Sequence, residues 1–360
     1  MLHESDFIPS EYQNYITEGS FEWEAPSNIA LVKYWGKKAH QIPANPSVSF
    51  TLSQCKTITN LHFKKIEKSE NFSYQFLFEG QSKPDFHPKI EKFFTRVEKY
   101  VPFLKSYHFE IDSLNTFPHS SGIASSASAM AALSLNLMSL ERLLNPDMTA
   151  DYFYKKASFL ARLGSGSACR SISGEVVQWG SHPNIENASD LFGVAFEDLH
   201  PEFHEIQDTI LLIDKGSKQV SSTLGHDLMH NHPFAERRFA QANENLIQMQ
   251  TILKSGNWTD FCALVESEAL TLHAMMMTSN PYFILMKPNT LLAIQAIWEF
   301  RAQQQVKICF TLDAGANVHV LYAKEHQAIV SQFIKDRLAT FCENNQYICD
   351  QLGSGAVQTK

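Results

Sequence analysis

Four stretches of this chain carry residue types able to handle a phosphorylated anion. The first reads Asn-Thr-Phe-Pro-His-Ser-Ser-Gly-Ile-Ala-Ser-Ser-Ala-Ser-Ala-Met from Asn115 to Met130. Gly122, Ala124, Ser125 and Ser126 are small enough for backbone to approach a phosphate chain. The hydroxyls of Ser121, Ser125 and Ser126 can reach phosphate oxygens or a magnesium ion riding on them. The alternative is a serine-rich helix cap with no ligand. It is neither a Walker A loop nor a dinucleotide fingerprint, because no Gly-Lys-Ser/Thr follows and the glycine spacing is absent. The second stretch, Gly164-Ser165-Gly166-Ser167-Ala168-Cys169-Arg170-Ser171, is a similar cradle with an arginine whose planar fork suits carboxylate or phosphate. The third brackets Tyr34-Trp35-Gly36 with Lys33 and Lys37, which are either solvated lysines or a pair held against an anionic ligand. The fourth is Asp313 before Ala314-Gly315. It is either a turn aspartate capping backbone N–H groups or a carboxylate placed to orient, or take a proton from, a hydroxyl nucleophile.

These groups need elements to hold them. A strand with Tyr107, Phe109 and Ile111 on one face enters the first stretch, and a helix with Met130, Leu133, Leu137, Leu140 and Leu144 leaves it. A strand, a small-residue loop and a helix N-terminus together present free amides and the positive dipole end at one spot. Thr149 predicts the N-cap of a helix carrying Phe153, Ala157, Leu160 and Ala161, stopped at Gly164, and a strand follows over 175–179. Alternation over 47–52, 57–63 and 72–78 predicts an antiparallel sheet with one buried face, and 88–101 reads as a helix. Residues 181–205 are loop-like and hold the candidate domain boundary. Beyond them the pattern predicts a strand at 209–214, a hydroxyl-rich turn over 218–226, and helices over about 234–254, 259–278 and 289–304. Strands at 307–312 and 318–322 and a helix near 326–342 complete an α/β sandwich of mixed or antiparallel type. Residues 1–20 are polar and aperiodic and read as an extension, a loosely held arm.

Composition limits the classes. At 360 residues, 44% hydrophobic and 19% charged, the chain suits two packed domains and excludes wholesale disorder. A net charge of −8 without a dense basic block argues against nucleic acid or an anionic membrane as partner. The six cysteines form no Cys-x-x-Cys pair and read as reduced thiols of a cytoplasmic protein. The fifteen histidines show no metal-ligand spacing. The N-terminus lacks a secretory signal pattern. Residues 123–140 are uncharged but hold many serines and an asparagine, which reads as a core helix rather than a transmembrane one.

Taken together, these stretches resemble the mevalonate diphosphate decarboxylases of the GHMP small-molecule kinase superfamily. The matching pieces are Asn28-Ile29-Ala30-Leu31-Val32-Lys33-Tyr34-Trp35-Gly36-Lys37, Phe117-Pro118 through Ala127, Gly164 to Ser171, Val220-Ser221-Ser222-Thr223, and Asp313-Ala314-Gly315 with Asn317. They occur in the family's order over most of the chain. The resemblance implies an α+β, GHMP-kinase-like two-domain fold. Its parts would be a ribosomal protein S5 domain 2-like N-terminal domain over 21–200 and a ferredoxin-like C-terminal domain over 201–360, with the active site between. ATP and Mg²⁺ are the implied cofactors. ATP would phosphorylate the 3-hydroxyl of (R)-5-diphosphomevalonate, and the 3-phosphate would leave as the carboxylate departs as carbon dioxide, giving isopentenyl diphosphate.

By the same resemblance, Asp313 would orient the hydroxyl and take its proton, Lys33 would hold the charged groups, and Arg170 would grip the substrate carboxylate. Tyr34, Lys37, Ser165, Ser167 and Ser222 would bind substrate. Ser121, Gly122, Ala124, Ser125 and Ser126 would meet the ATP phosphates, with Ser126 on the metal. A homodimer is implied. Ala316 stands where the family usually has Pro, His226 where it has Met, and His119 and Ser120 where Thr or Ala is frequent. Residues 65–105 match weakly, so no diphosphate-binding arginine is assigned and 5-diphosphate against 5-monophosphate stays open. The rivals are a decarboxylase of mevalonate 5-phosphate, a 3-kinase that does not decarboxylate, a homoserine-type kinase, and a metabolite-binding protein without activity. Asp313, Lys33 and Arg170 together favour the full reaction.

Overall fold

A computed structural model describes residues 2–118, 123–216 and 222–360. Two long alternating strands, β1 (Glu18–Val32) and β2 (Ser47–Lys65), pair antiparallel from Glu18↔Lys64 to Val32↔Val48. After them come β3 (Ser73–Phe78), β4 (Gln81–Ser82), α1 (His87–Val97) and β5 (Tyr107–Asn115). In β5 the odd positions Tyr107, Phe109 and Ile111 are buried and Glu110 and Asp112 face out, as the period-two pattern requires. β5 pairs antiparallel with β2 but parallel with β3. The sheet is therefore mixed, not the antiparallel one that alternation predicts. The reason is the connection: α1 carries the chain back, so β5 runs in the same direction as β3.

Helices α2 (Ser125–Leu144) and α3 (Ala150–Gly164) pack beside this sheet. Thr149 caps α3, its hydroxyl accepting the Tyr152 N–H at 3.2 Å. Next are β6 (Val176–Trp179), which pairs with β2, then β7 (Val194–Ala195) and α4 (Pro201–His204). The second sheet has the order β11-β8-β10-β9 and is antiparallel throughout. Its elements are β8 (Gln207–Leu211), α5 (Ser222–Asp227), α6 (Ala235–Ser255), α7 (Trp258–Met277), α8 (Pro288–Gln304), β9 (Ile308–Thr311), β10 (Val318–Tyr322), α9 (Gln327–Asp336) and β11 (Tyr347–Gln351). The helix expected to reach 342 stops at Asp336, and Leu338–Phe341 form a 3-10 turn. A last strand, β12 (Val357–Gln358), pairs with β1 in the first sheet.

The two sheets are tied at their junction. Asp350 of β11 accepts the backbone N–H groups of Ser53, Gln54 and Cys55 at 2.8–2.9 Å, and Phe50, Leu52, Ile210, Leu246 and Met249 share one core. A cleft lined from both sides of such a junction is held rigidly. Among the described residues no helix is long and apolar enough to cross a membrane. All six cysteines are free, and Cys349 alone is exposed.

The N-terminal arm is docked, not loose. Phe7 is fully buried with its ring 4.4 Å from that of Phe159, and Tyr12 donates to Glu141, which also receives Lys156. Gln13 and Asn14 donate backbone N–H groups to the Leu144 carbonyl at the end of α2. Polar, aperiodic surroundings conceal two aromatic anchors. Phe7→Ala should lower stability by about 3–5 kcal/mol, measured by denaturant unfolding, while leaving substrate KM unchanged.

Candidate active site

β1 ends at Val32, and the next residue, Lys33, is buried in the cleft. Its Nζ donates to the Ala30 carbonyl at 2.6 Å and faces Asp313 Oδ1 at 3.6 Å. Its main chain is gripped from the other half of the molecule. Glu268 Oε2 accepts the Lys33 N–H at 2.8 Å, while Arg238 Nη2 donates to the Lys33 carbonyl at 3.1 Å. Burial pushes the ammonium below the ordinary lysine range, and the Asp313 and Glu268 carboxylates oppose that shift.

Asp313 follows β9 and is 29% exposed, open to the cavity. Its carbonyl accepts the Nε2–H of His273 at 3.1 Å. Burial lowers His273 to about 4, so the ring is neutral and that hydrogen bond decides its tautomer. Arg170 closes a 3-10 turn, Gly166–Ser171, and is held by two hydroxyls of β2. Its Nε donates to Ser49 Oγ at 2.9 Å and its Nη1 to Ser47 Oγ. Nη2 has no partner among the described residues and is left for a ligand. Asn28 completes this wall, with Nδ2 donating to Ser171 Oγ at 2.7 Å and Oδ1 buried without a partner among the described residues. A buried acceptor of that kind calls for a donor from the ligand or its water.

The two small-residue stretches meet. Ser126 Oγ lies 3.3 Å from Ser165 Oγ. Ala124 takes the left-handed conformation at φ 45°, and among the described residues no side chain caps α2. The Ala127 N–H turns back to the Ala124 carbonyl at 2.8 Å, which leaves the Ser125 and Ser126 amides of that long helix for an anion. One cavity of about 660 Å³ is lined by Lys33, Tyr34, Lys37, Ala124, Ser125, Ser126, Ser165, Ser167, Arg170 and Asp313. The fold thus gathers these ten expected positions from segments as far apart as 33 and 313. Ser121 and Gly122 lie outside the described residues, as do His119, Ser120 and the side chain of Ser222, whose backbone opens α5. Lys37 is paired with Asp227 at 3.3 Å.

Sequence reasoning missed several groups here. Asn28 stands inside the quoted motif yet drew no attention of its own. Lys89, Lys92 and Arg96 of α1 line the same cavity, and Phe76, Phe78, Phe86 and Phe93 are among its apolar lining. Their i, i+3, i+7 spacing was the available signal. Glu268, Arg238 and His273 left none, since a buried charge and a surface charge look alike in a helical pattern.

A mixed α/β fold of two lobes, with hydroxyl-rich turns, free helix amides and a lysine–aspartate couple converging on one cleft, defines a small-molecule phosphoryl-transfer enzyme. Residues 25–190 match the diphosphomevalonate decarboxylase-like N-terminal domain, and residues 209–358 match the mevalonate 5-diphosphate decarboxylase C-terminal domain. Diphosphomevalonate decarboxylase of Bos taurus is 29% identical over 320 residues, covering 82% of this chain and 75% of that one. The crystal structure of mevalonate diphosphate decarboxylase from Staphylococcus aureus is similar at 30% identity and a TM-score of 0.81, over 95% of this chain and 98% of that one. A structure described as MDDEF in complex with MVAPP, AMPPCP and magnesium has a TM-score of 0.81 at 27% identity, over 95% of this chain and 99% of that one. The chain belongs to the diphosphomevalonate decarboxylase family.

Proposed function

We infer that this chain converts (R)-5-diphosphomevalonate and ATP to isopentenyl diphosphate, ADP, phosphate and carbon dioxide. Within a family of decarboxylases, the observation that carries the reading is the Lys33–Asp313 couple facing the same cavity as the unengaged Nη2 of Arg170. The residues present fit the cofactors. The phenylalanine wall suits a purine, and Lys89, Lys92, Arg96 and the free α2 amides suit its phosphates. The hydroxyls of Ser125 and Ser126 are hard oxygen donors of the kind Mg²⁺ takes. ATP supplies the phosphoryl group, and Mg²⁺ neutralises its charge.

The side chains of this protein then have separate tasks. Asp313 accepts the proton of the 3-hydroxyl as that oxygen becomes the nucleophile, and Lys33 balances the carboxylate. Arg170, fixed by Ser47 and Ser49, holds the substrate carboxylate through Nη2. Ser165, Ser167, Tyr34 and Lys37 hold the diphosphate end, and the family resemblance gives Ser222 to the substrate as well. When the C3–O bond breaks with loss of phosphate, the electron pair of the bond to the carboxylate forms the new double bond, and carbon dioxide leaves. A tertiary alcohol is a hindered nucleophile, so positioning carries most of the acceleration.

The protein is also proposed to act in the cytoplasm as a homodimer. Tyr282, Ile284, Leu291 and Leu292 are exposed on neighbouring segments and supply an apolar area for a second copy. The activity is tested by carbon dioxide released per ADP formed with MgATP and (R)-5-diphosphomevalonate. The expected ratio is near one. ADP without carbon dioxide would leave a 3-kinase, and silence on both would turn the assay to mevalonate 5-phosphate.

A further inference from the structure

His226 lines the cavity on a helix pressed tightly against the lysine-bearing turn. At Gly225 a β-carbon would run into the Trp35 indole, so the close approach of α5 requires glycine there. The His226 ring lies 4.3 Å from the ring centre of Tyr34 and 4.7 Å from that of Trp35. Its Nδ1 accepts the Gly36 N–H at 3.0 Å, and Gly36 itself sits at φ 102°, a conformation other residues rarely adopt. An Nδ1 that accepts carries no proton. Burial, with Lys37 and then Arg170 nearby, lowers His226 to about 3, so the ring is neutral and its one proton is on Nε2. Among the described residues Nε2–H has no hydrogen-bond partner. The charges acting on the ring are Lys37 and Arg170, and Lys37 is itself paired with Asp227.

We propose that His226 is a specificity-determining substrate contact: its Nε2–H donates to an anionic oxygen of the substrate's 5-phosphate chain, while Nδ1 pins α5 to the Tyr34–Gly36 turn. The phosphate end is chosen because Tyr34 and Lys37, the residues against the ring, are those given to that end above. The inference rests on that reading of the site. It adds a donor that never titrates in the working range, set beside Lys37, at a position where the family usually has Met, which has no donor. Anion recognition there gains a directional contact without a further cation to desolvate.

Three variants of the full chain separate the two nitrogens. His226→Asn keeps an acceptor for the Gly36 N–H but no donor at the Nε2 position. His226→Gln keeps the donor but not the acceptor, and His226→Phe keeps the ring alone. Each is read by the Kd for (R)-5-diphosphomevalonate from calorimetry without ATP, by steady-state KM and kcat, and by thermal midpoint. Asn and Phe should weaken Kd and KM for this substrate ~10-fold or more, as for loss of a hydrogen bond to a charged group. Gln should stay within about threefold of the native protein, and KM for ATP should stay within about twofold in all three. Equal losses in all three variants would mark a packing role and overturn the inference, as would an unchanged Kd in His226→Asn. A native protein that neither turns over nor binds the compound would instead overturn the functional reading beneath it.

Discussion

Asp313→Asn should abolish ADP and carbon dioxide together, with kcat down ~1000-fold or more. The amide is nearly the same shape, so the carbonyl of residue 313 keeps its hydrogen bond from His273 and the loop keeps its place. Two things change at once. The 3-hydroxyl loses the only carboxylate that lines the cavity among the described residues. Lys33 also loses the negative charge 3.6 Å away, the strongest influence holding its proton against burial. Removing a neighbouring anion disfavours the ammonium, so Lys33 moves further below its usual range and the couple fails from both sides. Because proton removal precedes carboxylate loss, the two products must fall in parallel. The checks are single-turnover ADP formation, trapped carbon dioxide, and a substrate Kd that stays within about threefold of native. An Asn variant that still released carbon dioxide at a tenth of the native rate would assign the proton to another group.

Candidate groups were legible in the sequence wherever type and spacing sit in one stretch. Lys33, Tyr34, Lys37, Ser125, Ser126, Ser165, Ser167, Arg170 and Asp313 were all readable as candidates, and the fold brings them to one cavity. The helices at 235–255, 258–277 and 288–304 followed from their 3.6-residue pattern to within one or two residues. What escaped depends on partners far along the chain. β3 and β5 alternate like antiparallel strands, and nothing in either reveals that a helix between them makes the pair parallel. Phe7 looked like one apolar residue in a polar tail until Phe159 and Phe192 surrounded it. His226 was visible as an unusual residue type, but its tautomer depends on a backbone N–H 190 positions earlier.

Glu268 and Arg238 are the extreme case, and removing either alone should have a large effect on stability. Both side chains are fully buried and joined at 2.6 Å and 2.9 Å, and Asn245 adds a third donor to Glu268 at 2.6 Å. Glu268→Ala strands the Arg238 guanidinium in the core, which should cost about 3–5 kcal/mol in denaturant unfolding. That loss alone would not separate a structural pair from a positioning one. Replacing both partners does, because Glu268→Leu with Arg238→Met removes two buried charges together and should restore most of the stability. The carboxylate at the Lys33 N–H and the guanidinium at its carbonyl remain absent, leaving Asn45 Nδ2, 2.9 Å from that carbonyl, as the remaining side-chain grip on the Lys33 main chain among the described residues. A displacement of about 1 Å at a catalytic group can lower a rate ~100-fold, so kcat of the double variant should stay at least ~10-fold below native even when its thermal midpoint has recovered. If the recovered protein is fully active, the pair serves the core alone. If it is stable but slow, two helices of the second lobe set the position of Lys33 in the first.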